Sequence, residues 1–376
     1  MSQNQDPASF SKPATVDLAS LVYTWKVIPV ASALLEAGVP QLVPVDGSGV
    51  DIVQLSQQAE VDTDLLYRYM RFASSLGVFK ELPNRHFAHN EQSKLLLPGN
   101  ITFYDMHLFG SAKYGFLPAA EYFTQLKDPS VAAMQHALKM PCWQSFAKNP
   151  QIEKLFAEYM TIVSNKAMPG IVQNIKLPET GIIADVGGGY GHALLEFLKG
   201  NPKLTGIVYE QPTVCRLVEA GLKDPNPPID SIYSNYAADV KDRVSVVGGS
   251  YTDGTQLKQI ATADVFFFKW VFHNNNDAVC RQILAGMYQV MKPAAKIIIC
   301  DCVFKDTPHE WTYQDTIDLC MSEVHNAKER TKNEWTKLLC AGEGYQYNIS
   351  FGDCAIIGLW ELDLITVTKK VNSDFA

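Results

Sequence analysis

The sequence predicts an α/β protein in two parts, an α-helical N-terminal domain followed by a doubly wound, mostly parallel sheet. Three observations carry that expectation. The chain of 376 residues is long for one core, because domains usually hold roughly 100–200 residues. Before residue 176 the apolar positions recur mostly at helical spacing. After residues 178–181 short β-rich runs, GIIADV, GIVYE, RVSVVGG, ADVFFFKWVF and KIIICDCVF, alternate with helical stretches, the texture of a parallel sheet.

Residues 17–37 place Leu18, Leu21, Val22, Trp25, Ile28, Ala31, Leu34 and Leu35 at helical spacing, and Pro29 should kink or split that helix. Residues 50–90 read as helix, turn, helix and two short strands around Pro83 and Asn84, the pattern of a winged helix. Residues 101–176 are helical and rich in aromatics; most are core, and a minority could line a cavity for a ligand.

Composition narrows the function classes. A formal charge of -8 opposes a polyanionic partner, since non-specific nucleic-acid affinity comes from Lys and Arg on phosphates. Arg68 and Arg71 are the cations of the second helix of the winged-helix pattern, which reads as a scaffold rather than a DNA reader. The polar N-terminus has no secretory pattern, and no apolar run reaches the roughly 20 residues of a bilayer span, so a soluble, cytoplasmic protein is expected. Eight cysteines without CxxC spacing suit reduced thiols. Cys300 and Cys302 fall on one face of a strand, but two ligands make no metal site, and none is expected.

The strongest local signal runs from Ile182 to His192: an apolar strand, then Asp185-Val186-Gly187-Gly188-Gly189-Tyr190-Gly191, then a helix. Glycines at such a strand end allow sharp turns and close approach to a ligand. The dinucleotide pattern GxGxxG fails, because His192 and Leu194 stand at the third glycine positions. Asp-x-Gly-x-Gly-x-Gly suits a nucleoside without pyrophosphate. Glu210 ends the next strand 19 residues after Gly191, where a carboxylate can accept both hydroxyls of a ribose.

Over nearly its whole length the chain resembles the plant and fungal type of small-molecule O-methyltransferase, similar to caffeate and acetylserotonin O-methyltransferases. The likeness is strongest in residues 185–191, 269–277, 296–302 and 328–335. It implies a Rossmann-like class I methyltransferase domain with a seven-stranded sheet over residues 169–376, the boundary lying near Pro169. Residues 1–168 would form a winged-helix-type dimerisation domain that also builds the substrate pocket. The implied cofactor is S-adenosylmethionine, with S-adenosylhomocysteine as product, and the implied partners are a small aromatic or polyketide-like substrate and a second copy of the chain.

The resemblance also assigns roles. Asp185, Gly187, Gly189, Gly191, Glu210, Ser250, Tyr251 and Lys269 fall at cofactor positions. His273, in FFFKWVFHNNND, falls where the family has its catalytic base. Methyl transfer to oxygen needs a nucleophile whose proton is leaving, and imidazole, with a pKa near 6.5, can take it at neutral pH. Asp301 and Glu329 match two carboxylates that would steady the ring, although Asp301 could equally cap a strand end and Glu329 be solvated. His107, Trp143, Phe146, Met160 and Met321 are substrate-contact candidates; for His107 a satisfied core histidine is an equal account. Three departures stand out: Gly248-Gly249-Ser250-Tyr251 replaces Gly-Asp-aromatic, Asn274-Asn275-Asn276-Asp277 replaces Asp-Trp-x-Asp, and Tyr190 fills a loop position that is usually small.

Methyl transfer to a phenolic or enolic oxygen leads these expectations. Some fungal proteins similar to this family instead use the bound sulfonium electrostatically, for dehydration or pericyclic chemistry without methyl transfer; the retained His273 favours the first. A third alternative, a regulatory protein with an inactive domain, meets the acidic charge.

Overall fold

The computed structural model describes residues 27–108, 131–227, 231–305, 313–342, 344–357 and 360–370. The apolar positions Leu18, Leu21, Val22 and Trp25 lie outside them. The chain divides into two units, residues 1–128 with 133–162, and residues 129–132 with 163–376.

In the first unit, α1 (Val27–Glu36) buries Val30, Leu34 and Leu35. Pro29 lies within this helix, which runs without a break from Val27 to Glu36. Strand β1 (Val50–Asp51) leads into α2 (Ile52–Ala59), whose cap Asp51 accepts from the Val53 and Gln54 amides. Asp62 caps α3 (Thr63–Ser75) in the same way through Leu65. Strands β2 (Lys80–Leu82) and β3 (His86–Ala88) pair antiparallel around Asn84, and β1 adds on the other side of β3. Helix α4 (Ile101–Leu108) follows. Helix α5 (Pro150–Asn174) runs through the division at residue 163, and Pro169 lies inside it. The proline near which the sequence places a boundary therefore does not end the helix, although it removes one backbone donor.

The second unit holds the sheet. Its strands are β4 (Gly181–Val186), β5 (Leu204–Glu210), β6 (Val244–Gly248), β7 (Val265–Lys269) and β8 (Lys296–Asp301), with a two-stranded parallel pair β9 (Val303–Phe304) and β10 (Arg330–Thr331) beside it. The two-residue β11 (Ala341–Gly342) and the long hairpin β12 (Tyr345–Ile357) and β13 (Trp360–Lys369) complete the set. The order is β11-β12-β13-β8-β7-β4-β5-β6. Strands β8 to β6 are mutually parallel, whereas β13 runs antiparallel to both β8 and β12. The mixed sheet thus has seven main strands, extended at one edge by β11.

Helices α6 (His192–Gly200), α7 (Pro212–Lys223) and α8 (Asp277–Val290) alternate with these strands, and α9 (Tyr313–His325) and α10 (Lys332–Leu339) follow β9 and β10. Strands buried on both faces need continuous apolar runs, and Phe266, Phe267, Phe268, Ile297, Ile298 and Ile299 supply them, all at most 3% exposed. Each such side chain contributes about 1.5–3 kcal/mol. The strand order reverses at β4, with β5 and β6 on one side and β7 and β8 on the other. A ligand crevice forms outside the carboxyl ends of the strands at such a switch point. Among the described residues, no helix is long and apolar enough to cross a membrane, and no group of three or more His, Cys, Asp or Glu is placed to hold a metal ion.

Candidate active site

The loop after β4 is shaped by its glycines. Gly187, Gly189 and Gly191 have φ of 70°, 54° and 79°, a left-handed region in which any other residue is strained. Gly188 has an ordinary φ but sits against Asp185; a Cβ there would stand 2.7 Å from the carboxylate oxygen Oδ2. Asp185 is 2% exposed, and burial pushes its pKa up against the opposing charge of Lys269. Around Gly189 there is open space on the side where a Cβ would project. Glu210, half-buried at the end of the neighbouring strand, accepts from the Gln211 and Gly189 amides. Burial nevertheless holds its pKa above the usual range. A bare, left-handed turn beside a fixed carboxylate fits a ribosyl ligand.

Strand β7 ends on Lys269, whose Nζ donates to Ser164 Oγ at 2.9 Å and lies 3.7 Å from the centre of the Trp270 ring. Burial lowers the lysine pKa, and the Asp185 carboxylate partly restores it. Tyr251 lies beside the loop, its ring carbon Cε1 3.7 Å from where a Cβ on Gly187 would stand. Ser250 donates its amide to Gln256 Oε1 at 3.0 Å, and its hydroxyl is 2.8 Å from Thr252 Oγ1. All the cofactor candidates therefore belong to the second unit, at the carboxyl ends of β4, β5 and β7 and on the loops that follow β4 and β6. Tyr190 has its carbonyl fixed by the Tyr233 hydroxyl at 2.9 Å.

One turn past Lys269, the short 3₁₀ helix Phe272–Asn274 carries His273, which is 5% exposed. Its Nδ1 lies 2.7 Å from Glu329 Oε1, and its amide donates to Asp301 Oδ2 at 3.3 Å. An ionised carboxylate can only accept, so Nδ1 carries a proton toward Glu329, and in the neutral ring Nε2 then holds the lone pair. Burial alone would depress the imidazole pKa; the charge and hydrogen bond of Glu329, with Asp301, outweigh it and hold it above the ordinary value. Asp301 is fully buried at the end of β8 and pushed up to about 7 by burial. Glu329 is 3% exposed rather than solvated, and its amide donates to Asp318 Oδ1 at 2.8 Å. Asn276, not His273, caps α8 by accepting from Val279 at 3.1 Å.

The three asparagines that depart from the family pattern each have a backbone task. Asn274 and Asn275 donate from Nδ2 to the Trp270 and Val271 carbonyls at 2.7 Å, so this turn is braced from within.

The substrate candidates divide between the units. His107, Trp143, Phe146 and Met160 belong to the first and Met321 to the second. His107 donates from Nδ1 to the Phe103 carbonyl at 2.8 Å. Trp143 packs edge-on against Phe146 and Phe156 yet stays 44% exposed. Phe146 and Met321 are buried and Met160 half-buried.

Sequence reasoning missed several residues of this neighbourhood. Arg330 is fully buried, and its place beside Glu329 in Lys328-Glu329-Arg330-Thr331 was the available signal. Ser164 and Asp318 act across 105 and 11 residues of chain, and no spacing rule finds them. His325, whose pKa burial and the charge of His273 push down to about 3, ends a helix in which it looks like an ordinary last-turn residue.

Comparison with known proteins identifies the family. Residues 120–346 match the sequence model of the O-methyltransferase domain. Over 312 residues the chain is 26% identical to O-methyltransferase 7 of Dictyostelium discoideum, covering 81% of this chain and 80% of that one. It is 25% identical over 328 residues to a chlorophenol O-methyltransferase of Trichoderma longibrachiatum, covering 81% and 66%. The structure of human N-acetylserotonin methyltransferase in complex with S-adenosylmethionine aligns with a TM-score of 0.71 at 15% identity, over 96% of this chain and 100% of that one. The chain belongs to the O-methyltransferase domain family and is an S-adenosylmethionine-dependent O-methyltransferase.

Proposed function

We propose that this enzyme methylates a phenolic or enolic hydroxyl of a small aromatic or polyketide-like molecule, with His273 as the general base. The observation that carries the reading is the 2.7 Å contact between His273 Nδ1 and Glu329 in the same unit as the glycine loop. The glycine loop, Glu210, Tyr251, Ser250 and Lys269 would hold S-adenosylmethionine, which when bound supplies a methyl group on a positively charged sulfur. His273 Nε2 takes the proton of the acceptor hydroxyl as the oxygen becomes nucleophilic. Glu329 steadies the resulting imidazolium through Nδ1–H, and Asp301 fixes the backbone of the same residue. The name of the Trichoderma relative makes chlorophenols the first acceptors to try. The test uses methyl-labelled S-adenosylmethionine with a panel of phenols and enols. Label is expected on an acceptor oxygen; no label on any panel member, with the cofactor bound, overturns the reading.

Calorimetry should give micromolar affinity for S-adenosylmethionine and S-adenosylhomocysteine, about -8 kcal/mol, and no heat with NAD. Binding of NAD in place of the sulfur nucleosides would contradict the assignment of the loop and Glu210.

We further propose that helices α2 and α3 with the small β1-β3-β2 sheet act as a winged-helix scaffold in a homodimer, and that the apolar stripe Leu18, Leu21, Val22, Trp25 and Ile28 forms its interface. Light scattering should return about twice the monomer mass, and removing the first 35 or so residues should yield monomers or aggregates. A full-length monomer at micromolar concentration would exclude the dimer. A reducing compartment such as the cytoplasm suits the eight free thiols.

A further inference from the structure

The turn that carries His273 is gripped by a second side chain, next to Glu329 in the chain. Arg330 follows Glu329 in the chain and is fully buried. Its Nε donates to Asp277 Oδ1 at 2.9 Å, Nη1 to the Phe272 carbonyl at 2.9 Å and Nη2 to the Asn275 carbonyl at 2.7 Å. Nη2 also stands 2.9 Å from Asp277 Oδ1. The guanidinium lies 5.4 Å from the Trp335 ring, whose Nε1 donates to the Cys302 carbonyl next to Asp301. One planar fork thus ties β10, the residues flanking His273, and the first residue of α8 together.

Resting on the reading of His273 as the base, we infer that Arg330 is its positioning residue: the guanidinium fixes the 272–275 turn against β10, keeping the imidazole and Glu329 in hydrogen-bond register, and sets a permanent positive charge beside them. The geometry asks for an arginine. Two carbonyls and a carboxylate are met by donors in one plane, whereas a lysine ammonium offers a point charge without a fork. The cation has a second consequence. His273 is faced by Glu329 just before β10, Arg330 in β10, Asp301 at the end of β8 and His325 at the end of α9, while Asp318 of α9 and Cys302 stand beside Glu329. Asp277 and Cys280 of α8 stand beside Arg330, and Lys269 of β7 beside Asp301. Among these, Glu329 and Asp301 raise the imidazole pKa and Arg330 lowers it. Arg330 thus works with burial against the upward pull of the two carboxylates on the imidazole.

The two functions separate in two variants. Arg330→Lys keeps the charge and loses the fork; Arg330→Gln loses both. Histidine-selective NMR of the protein bound to S-adenosylhomocysteine, with the His273 signal assigned by its loss in His273→Ala, follows the ring titration without any acceptor. The ring should titrate at higher pH in Arg330→Gln and near its wild-type position in Arg330→Lys. With any phenol that the wild-type enzyme methylates, Arg330→Lys should lose on the order of 10²-fold in kcat, with acceptor KM and cofactor affinity changing less than about threefold, roughly 0.65 kcal/mol. Asp277→Asn, which loosens the fork from outside, should lower kcat in the same direction by less. An unmoved ring titration in Arg330→Gln overturns the charge role, and wild-type kcat in Arg330→Lys overturns the clamp. Both failures leave the base reading standing, since that is decided at His273 itself.

Discussion

Replacing His273 by alanine is expected to lower turnover by about 10²–10⁴ while leaving S-adenosylmethionine affinity nearly unchanged. The split follows from where the residue sits. The glycine loop and Glu210 follow other strands and Lys269 ends β7 before the turn, whereas His273 is bonded through its ring to Glu329 and through its amide to Asp301. An alanine still has the amide, so the turn keeps its bond to Asp301 and loses only the proton acceptor. Lys269→Ala supplies the contrast, because loss of a cofactor contact weakens nucleoside affinity more than it slows a saturated enzyme. Added imidazole should recover part of the lost rate by entering the space that the ring vacates. Calorimetry for the cofactor and label transfer to the acceptor measure the two quantities separately. Wild-type turnover by His273→Ala would remove the base and leave proximity to the sulfonium as the dominant effect.

The sheet was legible because its strands are written as uninterrupted apolar runs. VFFFK and KIIICD are buried almost throughout, and their ends deliver Lys269 and Asp301 to the crevice. The glycine loop was legible because left-handed φ values demand glycine. The alternating runs could not show β11 or the antiparallel hairpin, since β12 and β13 are placed by pairing with β8 rather than by a local pattern. Pro169 lies inside the long helix α5. A proline is a local signal for a helix end, but Ala167, Met168 and Ile171 around it are buried, and that packing offsets the single lost hydrogen bond. In the site, chemistry-bearing residues at strand ends were readable from the chain alone. Ser164 and Asp318 were not, because each acts through a partner that no spacing rule connects to it, and Arg330 was marked only by its place beside Glu329.

Exchange of Glu329 for glutamine is expected to cost about 10³–10⁴ in kcat, comparable to what loss of the orienting carboxylate does in hydrolytic triads. Glutamine matches the carboxylate in shape, so the fold and the Asp318 bond to its backbone should survive. Its side chain can meet Nδ1 in two ways. With the amide nitrogen turned to the ring, Nδ1 must accept, the proton moves to Nε2, and the ring no longer has a lone pair where the acceptor hydroxyl would be. With the amide oxygen turned to the ring the tautomer is kept, but the negative charge that steadies the imidazolium is gone. The pH dependence has a definite sign. In the wild-type enzyme burial pushes the His273 pKa down, and Glu329 and Asp301 lift it above its ordinary value; activity should fall as the pH drops through that raised value, because the base becomes protonated. In Glu329→Gln burial and Arg330 are opposed by Asp301 alone, so the pKa falls and the acid limb of kcat moves to lower pH even as the plateau drops. Glu329→Asp, keeping charge at shorter reach, should fall between. The loss should not add to that of His273→Ala, since the two side chains act as one unit. A full pH–rate profile with matched calorimetry reads both effects: an acid limb that stays in place, or a plateau at the wild-type level, would mean that Glu329 packs against the histidine without governing its proton.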